Sequence, residues 1–288
     1  MSYFDRALLA VTLIGALSGL VGTFIVLRRR VLFAQALTHA TFPGAVVAAL
    51  VGINIQVGAI AACVSIIILL TLIDRLPRRG VQAATGVVLA GGFAGGVLLQ
   101  ALNPTAPIQV DAYLFGSVLS TTPTDLWVCG AALAVTVVFM LAAGKQLLFS
   151  IFDPAGYRGA GYDTSVMDAI LLVLTTLTVV TAMPAVGAIL AIALIAGPAA
   201  AARLVTTSAT GMVIVAPIFG VASGLIGLVV SRQFEVSAGA SVALTAALIF
   251  LIALAISSGR RSGRKVRPRA SGEDLDTGLL VVLSGAGQ

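Results

Sequence analysis

Long apolar runs, each close to the length of a membrane crossing, alternate with short polar breaks from residue 7 to residue 257. A helix that crosses a bilayer needs about 20 predominantly apolar residues. Nine runs fit: 7–27, 35–53, 56–73, 83–102, 124–143, 166–183, 185–202, 211–231 and 238–257. The pattern predicts an all-α, polytopic membrane helical bundle of about nine transmembrane helices. Eight are possible, because 166–202 can be divided differently and 103–123 can hide a re-entrant piece. Residues 1–257 read as one transmembrane domain and 258–288 as a disordered tail.

Composition agrees with this pattern. Of 288 residues, 59% are hydrophobic and only 10% charged, and the mean hydropathy is +1.11. Soluble domains carry about 25% charged residues. The 31 glycines and 10 prolines are scattered through apolar runs, which excludes a collagen, a disordered chain and a disulfide scaffold. The net charge of +6 follows membrane topology rather than a nucleic-acid partner. With the N-terminus outside, the loops 28–34, 74–82, 144–165, 203–210 and the C-terminal tail are cytoplasmic. They hold fifteen of the 17 basic residues, and only Arg6 and Arg232 fall on the outer side. The first run is too long for a signal-peptide core and no basic segment precedes it, so it reads as a retained span.

Three stretches depart from simple spans. Residues 103–123 are rich in turn formers and lie outside. Residues 149–165 form the longest internal loop, with aromatics, an Asp-Pro pair and glycines. The tail begins basic, which suits anionic lipid headgroups, and then turns acidic. Pro43, Pro184, Pro198 and Pro217 interrupt spans, and each frees a carbonyl four residues earlier. Such breaks serve either packing kinks or a pathway that opens.

Ionisable groups inside a span cost about 2.5–3.5 kcal/mol at the helix centre, so they are functional candidates by default. The single histidine, His39, lies in the second span, four residues after Gln35 and four before Pro43. Gln35 and His39 therefore share a helix face, and the carbonyl of His39 loses its usual partner. An imidazole, an amide oxygen and a freed carbonyl can line a cation route, or the histidine can simply bond a neighbouring helix. Cys63 and Cys129 read as buried core thiols. No P-loop, GxSxG, HExxH or facing carboxylate pair occurs, which points away from an enzyme. The scarcity of mid-span carboxylates also argues against the alternative of a secondary transporter working without an ATPase.

Four stretches taken in order resemble the permease subunits of ABC importers for manganese, zinc or iron. They are LFAQALTHATFPG at 32–44, DAYLFGSVLSTTPTDL at 111–126, FDPAGYRGAGYD at 152–163 and VGAILAIALIAGPAAAARLVT at 186–206. A weaker fifth is FEVSAGASVAL at 234–244. The resemblance implies a multi-pass protein of the bacterial cell membrane and a permease domain spanning 1–257. The chain would pair with a second permease subunit, as a homodimer or heterodimer, and would bind no cofactor of its own. A cytoplasmic ABC ATPase would use the ATP, and an extracytoplasmic metal-binding protein would deliver a divalent cation. Carried onto this chain, His39 matches the family histidine near the translocation route and is the metal-facing residue, and Gln35, one turn before it, takes the other route position. Phe152, Asp153, Pro154 and Gly161 match the loop that meets the ATPase. The family usually has Asp where this chain has Gln35, and a neutral amide attracts a divalent cation less strongly than a carboxylate.

Overall fold

The computed structural model describes residues 3–74, 81–103, 116–118 and 121–262. Nine long helices and one short one make up the described fold, which contains no strand among these residues. They are α1 (Tyr3–Leu27), α2 (Val31–Val51), α3 (Ile55–Asp74), α4 (Val81–Leu102) and α5 (Pro123–Phe152). The short α6 (Pro154–Gly159) follows, then α7 (Thr164–Val186), α8 (Ala188–Val205), α9 (Ala209–Phe234) and α10 (Ala238–Ser262). Eight of the long helices are long and apolar enough to cross a membrane, and α8 contributes a shorter apolar stretch, Ala191–Val205.

Local chemistry sets the helix ends. Thr122 and Asp125 form a reciprocal capping box ahead of α5, with Pro123 in the first turn where its missing N–H costs nothing. Gly52 ends α2 in the left-handed region and donates back to Ala48 and Ala49. Two boundaries correct the hydropathy reading. The α5 helix runs on to Phe152, nine residues past the apolar run, because Lys145 and Gln146 are good helix formers and no breaker intervenes before Asp153-Pro154. Residues 144–152 are therefore helix, not loop. The break between α7 and α8 falls at Gly187 (φ 89°), not at Pro184, which is accommodated in the last turn of α7. Pro43, Pro198 and Pro217 likewise sit inside continuous helices.

The α1 helix is the hub, lying against α9, α8, α5 and α7. Its small residues let backbones meet. A Cβ on Gly15 would stand 2.6 Å from the Gly220 carbonyl oxygen of α9, and one on Gly19 would stand 2.7 Å from Pro217 Cα. This is close small-residue packing, the main source of helix association where lipid removes the hydrophobic drive. The α2 helix packs on α3 at the Gly44–Gly58 approach and on α4 where Gly96 meets Phe42 and Pro43. The outer rim is apolar, with Trp127 81% and Leu141 83% exposed on α5, as a lipid-facing surface requires.

At one end of the bundle the stretch 116–118 lies against the core through Val118, while Ser117 stays exposed. Val118 is buried with Ala7, Val186 and Val242, and the Ser117 N–H donates to the Pro184 carbonyl. Most of the stretch on which the re-entrant expectation falls, residues 104–115 with Asp111 among them and 119–120, lies outside the described residues, as do Arg75, Arg78, Arg79 and the tail beyond Ser262. Both thiols are buried and free. Cys63 donates to Leu37 O of α2 and Cys129 to Thr181 O of α7.

Candidate functional site

Two places bring chemistry together. The first is mid-α2. Thr38 and Thr41 return their hydroxyls to the carbonyls of Gln35 and Thr38, which satisfies them locally. Their burial turns Gln35 and His39 onto the adjacent, half-buried face. The His39 ring meets Phe93 of α4 edge-on at 5.4 Å, and Phe93 in turn lies 5.5 Å from Phe42. His39 Nδ1 is buried and has no hydrogen-bond partner among the described residues. A buried, unpartnered imidazole nitrogen is costly unless a ligand uses it at some stage of function. Alongside lies an apolar cavity of about 400 Å³ between α2, α3 and α4, lined by Pro43, Gly44, Gly58 and Gly92. No group of three His, Cys, Asp or Glu side chains comes together among the described residues. Among the described residues this place thus offers one imidazole and one amide, not a closed ligand set.

The second place is the end of the bundle that carries α6. Phe152 closes α5 and is 66% exposed. Asp153 both ends α5 and caps α6, its carboxylate accepting from the Gly156 N–H at 2.8 Å, with Pro154 at the first position. Gly161 (φ 84°) turns the chain toward α7, where Asp163 accepts from the Ser165 N–H. Hydrogen bonds from Ser165, side chain first and then backbone, hold the Asp163 carboxyl below its ordinary range. The segment is solvent-facing apart from Tyr157. Tyr157 is 2% exposed and packs with Phe24, Leu147, Met167 and Leu171. It also stacks on Tyr162 at 5.1 Å and meets Phe149 edge-on. The short helix is thereby bolted to the bundle by one aromatic ring while its other faces stay free. A cleft beside it joins Leu27, Phe152, Arg203 and Thr206.

At this same end Arg28 leaves the α1–α2 turn, pairs with Asp168 of α7 and donates to Ser150 Oγ of α5 at 2.8 Å. Arg30 stands 3.7 Å from the same carboxylate. Burial, and then the neighbouring Arg30 charge, push the Arg28 pKa down, but an arginine keeps its proton. Arg28, Arg158 and Arg203 thus gather at one end. Arg6 and Arg232 lie at the other, stacked over Tyr3 and Phe4. Tyr157, Ser150 and the Arg28–Asp168 pair were not singled out by the sequence. The aromatic spacing Phe149, Tyr157, Tyr162 is the only hint it contains.

The model of the family described as the ABC 3 transport family matches residues 1–257. The chain belongs to the ABC 3 transport family. It is a membrane permease subunit of the ABC importer type, multi-pass in the bacterial cell membrane, and not itself an enzyme. It is 33% identical over 257 residues to the manganese transport system membrane protein MntC of Halalkalibacterium halodurans, covering 89% of this chain and 88% of that one. It is equally 33% identical over 262 residues to the manganese import system permease protein ScaB of Streptococcus gordonii, with 90% and 93% covered. Among solved structures it is similar to PsaBC from Streptococcus pneumoniae in complex with Fab, with a TM-score of 0.81 and 31% identity over 88% of this chain and 91% of that one. Family membership decides against a secondary transporter working alone.

Proposed function

We propose that the chain forms the translocation route of an ATP-driven importer for a divalent transition metal, with manganese the first cargo to test. A second permease subunit completes the route. A cytoplasmic ATPase, which uses the ATP, docks on Phe152, Asp153, Pro154 and Gly161, and an extracytoplasmic metal-binding protein delivers the ion at the opposite end. The arginine-rich end that carries α6 is cytoplasmic and the N-terminus is outside, by the positive-inside rule. Residues 1–257 act as the permease domain. The manganese names of two relatives support the cargo class.

The observation that carries the metal assignment is His39, a lone imidazole in an apolar helix with a buried nitrogen that no group among the described residues engages. Imidazole suits manganese, zinc and ferrous iron alike, so geometry and supply rather than affinity order choose the ion. Gln35 lies one helical turn away on the same face and adds a neutral oxygen ligand. A route with little fixed charge passes an ion without trapping it, which suits transport more than storage.

The test is ATP-dependent accumulation of manganese, zinc and ferrous iron in proteoliposomes holding the complete transporter, for wild type and His39→Ala. One metal should accumulate, and the substitution should abolish uptake while the complex stays assembled. Undiminished uptake in His39→Ala would remove the histidine from the route.

A further inference from the structure

We propose that Arg28 is a positioning residue that ties the ATPase-facing helix α6 to the cargo-facing helix α2. The proposal rests on the reading that α6 meets an ATPase and that α2 lines the route.

One guanidinium holds both legs that flank α6. Ser150 lies two residues before the end of α5, and Asp168 lies in the second turn of α7. Any displacement of the α5–α6–α7 hairpin therefore moves the two groups that grip Arg28. Arg28 is itself three residues from the first residue of α2, across a tight turn. The Arg28 N–H donates to Phe24 O and the Arg30 N–H to Ile25 O, with Arg29 held at φ 56°. A turn this short, with a non-glycine residue in the left-handed region, has little slack to absorb a displacement. A pull on Arg28 is passed to the N-terminus of α2, and Gln35 and His39 follow within three turns of that helix.

The chemistry fits a link more than a surface ornament. The Arg28 side chain is 10% exposed, so water does not replace its partners at low cost. A planar fork reaches a hydroxyl on one leg and a carboxylate on the other at fixed angles, which an ammonium point charge does not reproduce. Ser150 Oγ in turn donates to Leu147 O, which fixes the hydroxyl on α5. Arg30, 3.7 Å from Asp168, sets a second charge from the same turn on the same leg.

The test uses the complete transporter in proteoliposomes, with Mn²⁺ taken up per ATP hydrolysed as the readout, because a purely structural role moves yield and not this ratio. Arg28→Gln and Asp168→Asn should keep the ATPase bound and its basal hydrolysis intact while uptake per ATP falls at least tenfold. The exchange Arg28→Asp with Asp168→Arg should recover most of the ratio. Where a single variant folds poorly, Ser150→Ala removes one leg of the grip only and should still lower the ratio. Wild-type ratios in Arg28→Gln and Ser150→Ala, or loss of the ATPase in both, overturn the proposal. The underlying docking reading fails separately, when Phe152→Ala with Asp153→Ala leaves ATPase association unchanged.

Discussion

Gly15→Ala tests the packing at the centre of the fold. The new Cβ would stand 2.6 Å from the Gly220 carbonyl oxygen, 2.7 Å from its carbon and 2.9 Å from Val221 N. All three are backbone atoms of a regular helix, so no side chain can swing aside. Ordinary contact between such atoms needs about 3.5 Å, so α1 and α9 must part by about 0.9 Å, a gap that forfeits a quarter to a half of the dispersion well along the seam. Overpacking of this kind costs about 1–3 kcal/mol, and backbone-on-backbone contact belongs at the upper end. Alanine returns about 0.8–1 kcal/mol of helix propensity over glycine. The net loss is about 2 kcal/mol. Gly130→Ala on α5 is the control, since nothing lies within 4 Å of its Cβ position and it keeps the propensity gain. Denaturant or thermal unfolding in nanodiscs should place Gly15→Ala below wild type and Gly130→Ala at or above it. Equal stability of the two variants would refute the close-approach argument.

Three further outcomes follow from the same geometry. Gly116 adopts φ 67° and packs on the α7–α8 junction, where a Cβ would stand 2.6 Å from Ala185 O, so Gly116→Ala should lower the unfolding temperature and expose this end to proteolysis. Tyr157→Ala removes the ring that bolts α6 down, at a cost of about 3–5 kcal/mol by analogy with other buried aromatics, and should reduce ATPase co-purification at least tenfold while the bundle still folds. The Asp163 carboxyl is held below its ordinary range in the folded state, so its cap is intact at neutral pH, above the unfolded carboxylate range. The cap weakens only as pH falls through that depressed folded value. Hydrogen exchange at the start of α7 should therefore rise in strong acid, and Asp163→Ala should show the rise already at neutral pH.

Much of the architecture is written in hydropathy. Every apolar run maps onto one helix, because in lipid each backbone amide must be satisfied within its own segment. Hydropathy says nothing of where a helix stops once it leaves the bilayer, which is why α5 reaches Phe152 well past its apolar run. It also overstates proline. Pro43, Pro198 and Pro217 stay within continuous helices, and the actual break is made by Gly187, whose positive φ no apolar pattern announces. His39 and Gln35 stand out in the sequence because a polar group in an apolar run is costly. Arg28, Ser150 and Asp168 were not, since each looks like an ordinary residue near a helix end. Their meaning comes from three helices meeting, and nothing in the local pattern encodes that meeting.

The central claim is that this permease moves a metal ion only when a separate ATPase drives it. The most direct measurement compares Mn²⁺ accumulation in proteoliposomes that hold the permease with its ATPase and binding protein against proteoliposomes that hold the permease alone. Each set is supplied in turn with ATP, with a proton gradient and with a sodium gradient. Accumulation against the Mn²⁺ gradient only in the complete system with ATP is the predicted result. Accumulation by the permease alone under an ion gradient would contradict it.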